Sequence, residues 1–349
     1  MYAFELPYYL VFAAKKYHAF RNRRRLPCKV ISIGNITVGG TGKTPASVAV
    51  ALEANRRGLN PIILTRGYRG TAKGPCFVTR GKGPLLSVEA AGDEPFLMAE
   101  RLRDIAIVKG RNRYESGMLA MKEFSGAEEI SGYQSPAPDL FILDDGFQHW
   151  GLYRDRDIVL IDAGDPFGNG LLLPFGRLRE PVESLERADI IVLTKAEAYE
   201  GENHSTFGKR VEDLIKTIRR HNAKSQIFFA RHVPVSCRLL SGEKKPFEWI
   251  AGKKISGFCA LGAPESFKRT LRSAGSDLVS YRTFRDHHRY SAADIIEIKK
   301  EAAMHGAEWI VTTEKDIIKI RNLDLPVNIL VIEIDFFVEG NFYDEVFNL

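Results

Sequence analysis

The sequence predicts an α/β fold in two parts, and three observations carry that prediction. From Lys29 onward, short β-branched runs alternate with helix-favouring stretches, the habit of a mostly parallel sheet covered by helices. The alternation breaks off between residues 207 and 240 and restarts near Lys254. The chain has 349 residues, room for two cores of ordinary size.

In the first series the expected strands are Lys29–Ile33, Pro61–Thr65, Ile105–Val108, Leu140–Leu143, Asp157–Asp162 and Asp189–Thr194. Helices are expected over Pro45–Arg57, Asp93–Arg103 and Arg113–Phe124. A polar helix, Phe207–His221, and an extended stretch, Gln226–Leu240, separate the two series. The second runs strand Ile255–Ala260, helix Pro264–Ala274, strand Leu278–Tyr281, helix Ser291–His305, strand Trp309–Thr312 and strand Val327–Glu333. The expected organisation is therefore an N-terminal segment of residues 1–25, a first domain of residues 26–225, and a second, smaller α/β domain of residues 226–349 that includes the extended linker.

Composition excludes several classes. Hydrophobic residues make up 44% and charged residues 27%, as in ordinary globular proteins and unlike a disordered or collagen-like chain or a multi-span transporter. Four cysteines, Cys28, Cys76, Cys237 and Cys259, form no CxxC pair, which argues against a disulfide scaffold or zinc ribbon and suits a reducing compartment. The net charge of +6 is concentrated at one end: residues 1–25 carry six basic groups and one acid, and the rest of the chain is nearly balanced. Nucleic-acid binding over the body is not implied.

The N-terminal segment has an apolar run of seven residues, Tyr8–Ala14, followed by Lys15-Lys16 and Arg23-Arg24-Arg25. A membrane-spanning helix needs about 20 apolar residues, and a signal peptide puts its basic residues first. Leu6, Tyr9, Leu10, Ala13, Tyr17 and Phe20 share one helical stripe. Two readings stand side by side: an interfacial helix with a polybasic patch for anionic lipid, or a terminal helix packed on the body.

Strand Lys29–Ile33 runs into Gly34-Asn-Ile-Thr-Val-Gly-Gly-Thr-Gly-Lys-Thr-Pro45 and then a helix. This is the setting of a phosphate loop. Gly39, Gly40, Thr41 and Gly42 let backbone N–H groups turn inward around phosphate oxygens, and the helix N-terminus adds its dipole. Lys43 is placed to reach the β- and γ-phosphates, Thr44 to ligate Mg²⁺, and Pro45 sits where a missing N–H costs least. Thr37 stands where the usual pattern has its first glycine. Leu140–Leu143 is followed by Asp144-Asp-Gly-Phe-Gln-His149, an apolar strand ending in acids that suits a metal-shell carboxylate. Gln148 and His149 fit a site or a turn equally. The run Thr194-Lys-Ala-Glu197 lacks the Asp of guanine-reading loops, which favours ATP over GTP.

The phosphate loop resembles that of the tetraacyldisaccharide 4′-kinases, the lipid A 4′-kinases, which also place Ser or Thr at the missing glycine. The resemblance continues in order through Arg66-Gly-Tyr68, Gly92-Asp-Glu-Pro95, Asp144–His149, Gly168-Asn-Gly170, Leu178-Arg-Glu-Pro181, Arg187-Ala-Asp189, Asp286-His287 and Thr313-Glu-Lys-Asp316. It implies a P-loop NTPase-like first domain and transfer of the ATP γ-phosphate to the 4′-hydroxyl of a tetraacyldisaccharide 1-phosphate. It also implies peripheral attachment to the cytoplasmic face of the inner membrane by residues 1–25; Mg²⁺ is expected from the phosphate loop and the acidic strand end, and the chain is expected to be a monomer. By the same resemblance Asp144, Asp145 and Glu180 join Thr44 around the metal, Asp93 is the general base and His287 its partner. For Asp93 the residues alone suggest a helix N-cap, and for His287 a loop histidine next to His288. Arg177 stands where the family commonly has Pro, and Arg111 and Arg113 follow a strand where they could meet acceptor phosphates. The rival expectation is a membrane-associated nucleotide switch acting on a protein partner, which needs no Asp93–His287 pair.

Overall fold

The computed structural model describes residues 6–125, 136–195 and 204–349. Glu197, used above in the nucleotide argument, lies outside the described residues. The chain forms two units: residues up to Arg231 together with Phe336–Leu349, and His232–Asp335.

The first unit is built on β1 (Lys29–Gly34), whose run Val30–Gly34 is wholly buried, as in a central parallel strand. In chain order the elements are α1 (Leu6–Arg21), β1, α2 (Lys43–Arg56), β2 (Pro61–Thr65), β3 (Cys76–Arg80), α3 (Val88–Ala91), α4 (Asp93–Arg101), β4 (Ala106–Lys109), α5 (Arg113–Ser125), β5 (Leu140–Asp144), β6 (Arg156–Asp162), β7 (Ile190–Thr194), α6 (His204–His221) and the start of β8 (Gln226–Leu239). The strand order is β8-β7-β6-β1-β5-β2-β4-β3. Every pair is parallel except β3 with β4. In such sheets ligands bind beyond the carboxyl ends of the strands. Register fixes what meets there: Ile33 of β1 lies opposite Asp144 of β5, so the phosphate loop and the acidic corner leave the sheet side by side. At this point Gly34 packs on the chain after β5, and a Cβ on it would stand 2.5 Å from Phe147 Cβ.

Two apolar clusters hold the sheet to its helices. One gathers Ile36, Phe147, Leu178 and Leu185 with Leu214 and Ile218 of α6. The other gathers Leu26, Val30, Phe77 and Phe141 with Ala120 of α5. Helix α1 is part of the first unit. Phe12 is buried edge-on to Trp150, with ring centroids 5.2 Å apart, and the Tyr8 hydroxyl donates to the Arg179 carbonyl at 3.1 Å. Its outer side leaves Leu6, Leu10, Val11, Tyr17 and Phe20 exposed. Tyr9 of the expected stripe instead packs against the core. Among the described residues no helix is long and apolar enough to cross a membrane.

In the second unit the remainder of β8 pairs with β9 (Lys244–Pro246). There follow β10 (Lys254–Cys259), α7 (Pro264–Ser273), β11 (Asp277–Thr283), α8 (Ala292–Met304), β12 (Trp309–Thr313), α9 (Glu314–Ile320) and β13 (Ile329–Val338). Strands β11, β10, β12 and β13 run parallel in that order. Its core gathers Phe247, Phe267, Leu271, Val311 and Leu330.

The division differs from the expected 26–225 and 226–349. The C-terminal Phe336–Leu349, including α10 (Phe342–Phe347), belongs to the first unit. Phe342 stacks edge-on against Phe228 of β8, and Arg156 donates to the carbonyls of Glu345 and Asn348. The strand β3, Cys76–Arg80, is absent from the expectation; it adds an antiparallel edge beside β4, outside the strand–helix alternation of the parallel sheet.

Candidate active site

The phosphate loop leaves β1 at Gly34 and enters α2 at Lys43. Gly42 takes φ 87°, a left-handed turn that glycine adopts freely, and it is the N-cap of α2. Asn35, fully buried, donates through Nδ2 to Thr41 Oγ1 at 3.0 Å, and the Thr194 hydroxyl donates to the Thr41 carbonyl at 3.2 Å. Two side chains thus brace the loop from below. Thr37 is buried and forms an antiparallel bridge with Leu178. Flanking bonds run from Val38 N to the Arg177 carbonyl at 2.7 Å and from Arg179 N to the Ile36 carbonyl at 2.7 Å. A residue paired in this extended way needs no glycine, which explains the departure from the usual pattern. Arg177 donates to the Val38 carbonyl through Nε and Nη2 and pairs with Asp165.

Lys43 Nζ lies 3.4 Å from the Gly39 carbonyl and 3.6 Å from Asp145 Oδ1. Burial lowers its pKa, and Asp145 works against that shift. Asp145 takes a left-handed φ of 51°, and Arg179 Nη1 donates to both its oxygens at 2.9 Å. Burial pushes its carboxyl up, but Lys43 and then Arg179 more than reverse this and hold it below the usual range. Asp144 is buried at the end of β5; Ser47 Oγ of α2 and Thr65 Oγ1 of β2 each donate to it at 3.0 Å. Burial, then Glu94 and Asp145, push its carboxyl up to about 6. Arg113 is buried beneath this corner, donating to the carbonyls of Gly110 at 2.7 Å and Asp144 at 3.2 Å, and burial lowers its pKa to about 10. It is part of the site's foundation, whereas Arg111 is exposed.

Glu180 is fully buried. Its Oε1 accepts from Gln148 Nε2 at 2.9 Å and Arg187 Nη2 at 3.1 Å, and Gln148 also donates to the Asn35 carbonyl at 2.8 Å. Gln148 therefore belongs to the site. His149 is partly buried and tilted toward neutrality: burial, then Arg113 and Arg154, lower its pKa to about 4.

The chemistry of this corner fits Mg²⁺. The donors are hard oxygens beside a phosphate loop, and Glu94 and Asp145 add to the burial that disfavours a charged Asp144, a strain a bound cation would relieve. Thr44 and the two aspartates are the first candidates. Glu180 is engaged by Gln148 and Arg187, and among the described residues no three acidic, His or Cys groups already converge at metal distance.

Asp93 is the first residue of α4, half-buried; the N-cap is Gly92, so the N-cap expected at Asp93 falls one residue earlier. In the second unit His287 follows β11 with a left-handed φ of 62°, its Nε2 3.5 Å from Lys315 Nζ and 3.8 Å from Asp286 Oδ2. His288 is engaged in packing and capping. Its ring stacks on Phe284 at 4.7 Å, and its Nε2 lies 3.2 Å from Asp294, the carboxylate of the α8 capping box.

Residues 1–348 match the family described as tetraacyldisaccharide-1-P 4′-kinase. The chain belongs to that family. A tetraacyldisaccharide 4′-kinase of Syntrophus aciditrophicus is 40% identical over 320 residues, covering 88% of this chain and 80% of the relative. That of Halothermothrix orenii is 34% identical over 333 residues, covering 89% and 81%. A crystal structure of LpxK from Aquifex aeolicus in complex with ATP superposes with a TM-score of 0.73 at 29% identity, over 98% of this chain and 96% of that one. The architecture is thus that of a 4′-kinase. Sequence reasoning missed Ser47, Glu94 and Arg187 as neighbours of Asp144 and Glu180. Ser47 lies one helical turn beyond Thr44 and Glu94 follows Asp93 directly, so both carried a positional signal.

Proposed function

We propose that this protein transfers the γ-phosphate of ATP to the 4′-hydroxyl of a tetraacyldisaccharide 1-phosphate, working at a membrane surface to which α1 attaches it. The observation that carries this reading is the chain of ion pairs from Lys43 through Asp145 to Arg179, which joins a braced phosphate loop to the Leu178-Arg-Glu-Pro181 segment.

Phosphoryl transfer asks mainly for in-line positioning and neutralisation of charge. The amides from Gly39 to Thr44 cradle the triphosphate, and Lys43 turns from the Gly39 carbonyl and Asp145 toward it. Thr44, Asp145 and Asp144 would hold Mg²⁺, which would supply neutralisation of β- and γ-phosphate charge, and Glu180 would act behind them through Gln148 and Arg187. Arg179, released in part from Asp145, remains as a cation beside the transferring group. Asp93, at the start of α4, accepts the proton of the sugar hydroxyl late, as its bond to phosphorus forms, and His287 is the histidine whose loss is expected to slow the same step. Helix α1 supports the membrane reading through its exposed Leu6, Leu10, Val11, Tyr17 and Phe20 beside basic residues.

A thin-layer assay with γ-labelled ATP and a monophosphorylated acyl-disaccharide tests the reading, with Lys43→Ala as control. Label is expected on the lipid with the parent protein only. Nucleotide hydrolysis without transfer would reassign the protein as a switch.

A further inference from the structure

Lys109 ends β4, opposite Thr65 of β2 and Cys76 of β3, and is 2% exposed. Burying an ammonium is costly unless it is hydrogen-bonded. Here Nζ donates to the Ala90 carbonyl at 2.5 Å, at the end of α3. The side chain fills the hollow beneath the Arg66–Gly70 turn. A Cβ on Gly67 would stand 2.5 Å from Lys109 Cε. A Cβ on Gly70 would stand 2.4 Å from Nζ, 2.5 Å from the Ala91 carbonyl and 2.6 Å from that of Ala90. The same turn is stitched to α3 by Thr71 N to the Glu89 carbonyl at 2.9 Å and Ala72 N to the Ala90 carbonyl at 3.2 Å. Gly92, with φ 95°, presses on it so closely that a Cβ would meet the Tyr68 carbonyl at 2.6 Å. The residue after Gly92 is Asp93.

We propose that Lys109 is a positioning residue for phosphoryl transfer: its buried ammonium clamps the Arg66–Gly70 turn to the carbonyl end of α3, and so fixes Gly92 and the first turn of α4 that carries Asp93. This rests on the reading of Asp93 as the proton acceptor. It also gives a physical account of the Arg66-Gly-Tyr68 motif: glycine there makes room for the lysine stem. The amine is buried on the Ala90 carbonyl and acts through the backbone it holds.

The test is made on the full-length enzyme. Lys109→Met keeps the stem and deletes the ammonium. kcat is expected to fall about ten- to hundredfold, the cost of a small misplacement, while the Kd of a non-hydrolysable ATP analogue stays within about twofold, because the phosphate loop is untouched. Gly70→Ala intrudes on the same clamp from the other side and should give the same split. Combined with Asp93→Asn, Lys109→Met should add no further loss in kcat, since both act on one group. Unchanged kcat in Lys109→Met, a parallel loss of kcat and ATP affinity, losses that multiply in the double variant, or failure of both Lys109→Met and Gly70→Ala to fold would each overturn the proposal. Full kcat in Asp93→Asn would remove the Asp93 reading and the proposal with it. A crippled Asp93→Asn beside an unaffected Lys109→Met would remove the proposal alone.

Discussion

Two candidate site residues, one in each unit, hold a left-handed backbone without being glycine: Asp145 at φ 51° and His287 at φ 62°. Such conformations cost free energy and persist where the surroundings over-determine them. The surroundings differ. Asp145 sits between Lys43 and Arg179, on a corner braced by Ser47, Thr65 and Arg113. His287 lies in a loop beside Lys315 and the more exposed Asp286. The contrast teaches that Asp145 is fixed between two cations, Lys43 and Arg179, whereas His287 is set in a loop beside an ion pair of its own, Lys315 with Asp286.

The comparison can be broken most severely at Lys43. Lys43→Ala should cost about 10³-fold or more in kcat/KM, as expected for loss of a charge that stabilises the transition state; near-parental turnover would dissolve the argument for the phosphate side. Asn tolerates the left-handed region, so substituting it separates backbone from chemistry. Asp145→Asn should therefore fold normally yet lose about 10²-fold in kcat and bind Mg²⁺-ATP more weakly. His287→Asn, by the same logic, should lose about tenfold in kcat with ATP affinity unchanged. Equal losses at the two positions would erase the distinction drawn between them.

A smaller effect concerns stability. The folded pKa of Asp144, about 6, exceeds its ordinary value of 3.8. The folded state then binds the extra proton between these values, so this group's contribution to stability falls as pH rises from about 4 to about 6 and stays low above. Asp144→Asn lacks that dependence. In the absence of Mg²⁺ and nucleotide, the Tm of the variant should gain about 5 °C on that of the parent between pH 4.5 and pH 8; a constant gap would show that the buried carboxyl is not strained. Least for catalysis, Leu10→Ser with Val11→Ser should weaken binding to anionic vesicles by about 10²-fold or more, through the lost hydrophobic transfer energy of two exposed side chains. It should leave turnover on detergent-dispersed substrate unchanged, and unaltered vesicle binding would refute the interfacial role of α1.

Much of this was legible in the sequence where chemistry is local. Strand, loop and helix are contiguous from Lys29 to Arg56, so the glycines and Lys43 announce their purpose. The acidic corner at Asp144 ends an apolar run that reads as a buried strand. What stayed hidden depends on distant pairing. Thr37 looks like a defect until Leu178 is seen to pair with it across the chain. Arg179 is one arginine among many until it meets Asp145, 34 residues away. Lys109 closes an apolar strand as any surface lysine might, and only the glycines at 67 and 70, folded over it, reveal its burial. The return of Phe336–Leu349 to the first unit rests on the packing of Phe342 against Phe228, which no local periodicity encodes.

Helix α1 has a practical consequence. Apolar N-terminal helices are often trimmed to improve yield, and this greasy end invites the scissors. Here the cut would remove the Tyr8 hydroxyl from the Arg179 carbonyl and bare Trp150 where Phe12 covered it. A shortened preparation would be easier to handle but would no longer report the native catalytic centre, and inhibitors ranked on it would be ranked against a loosened target.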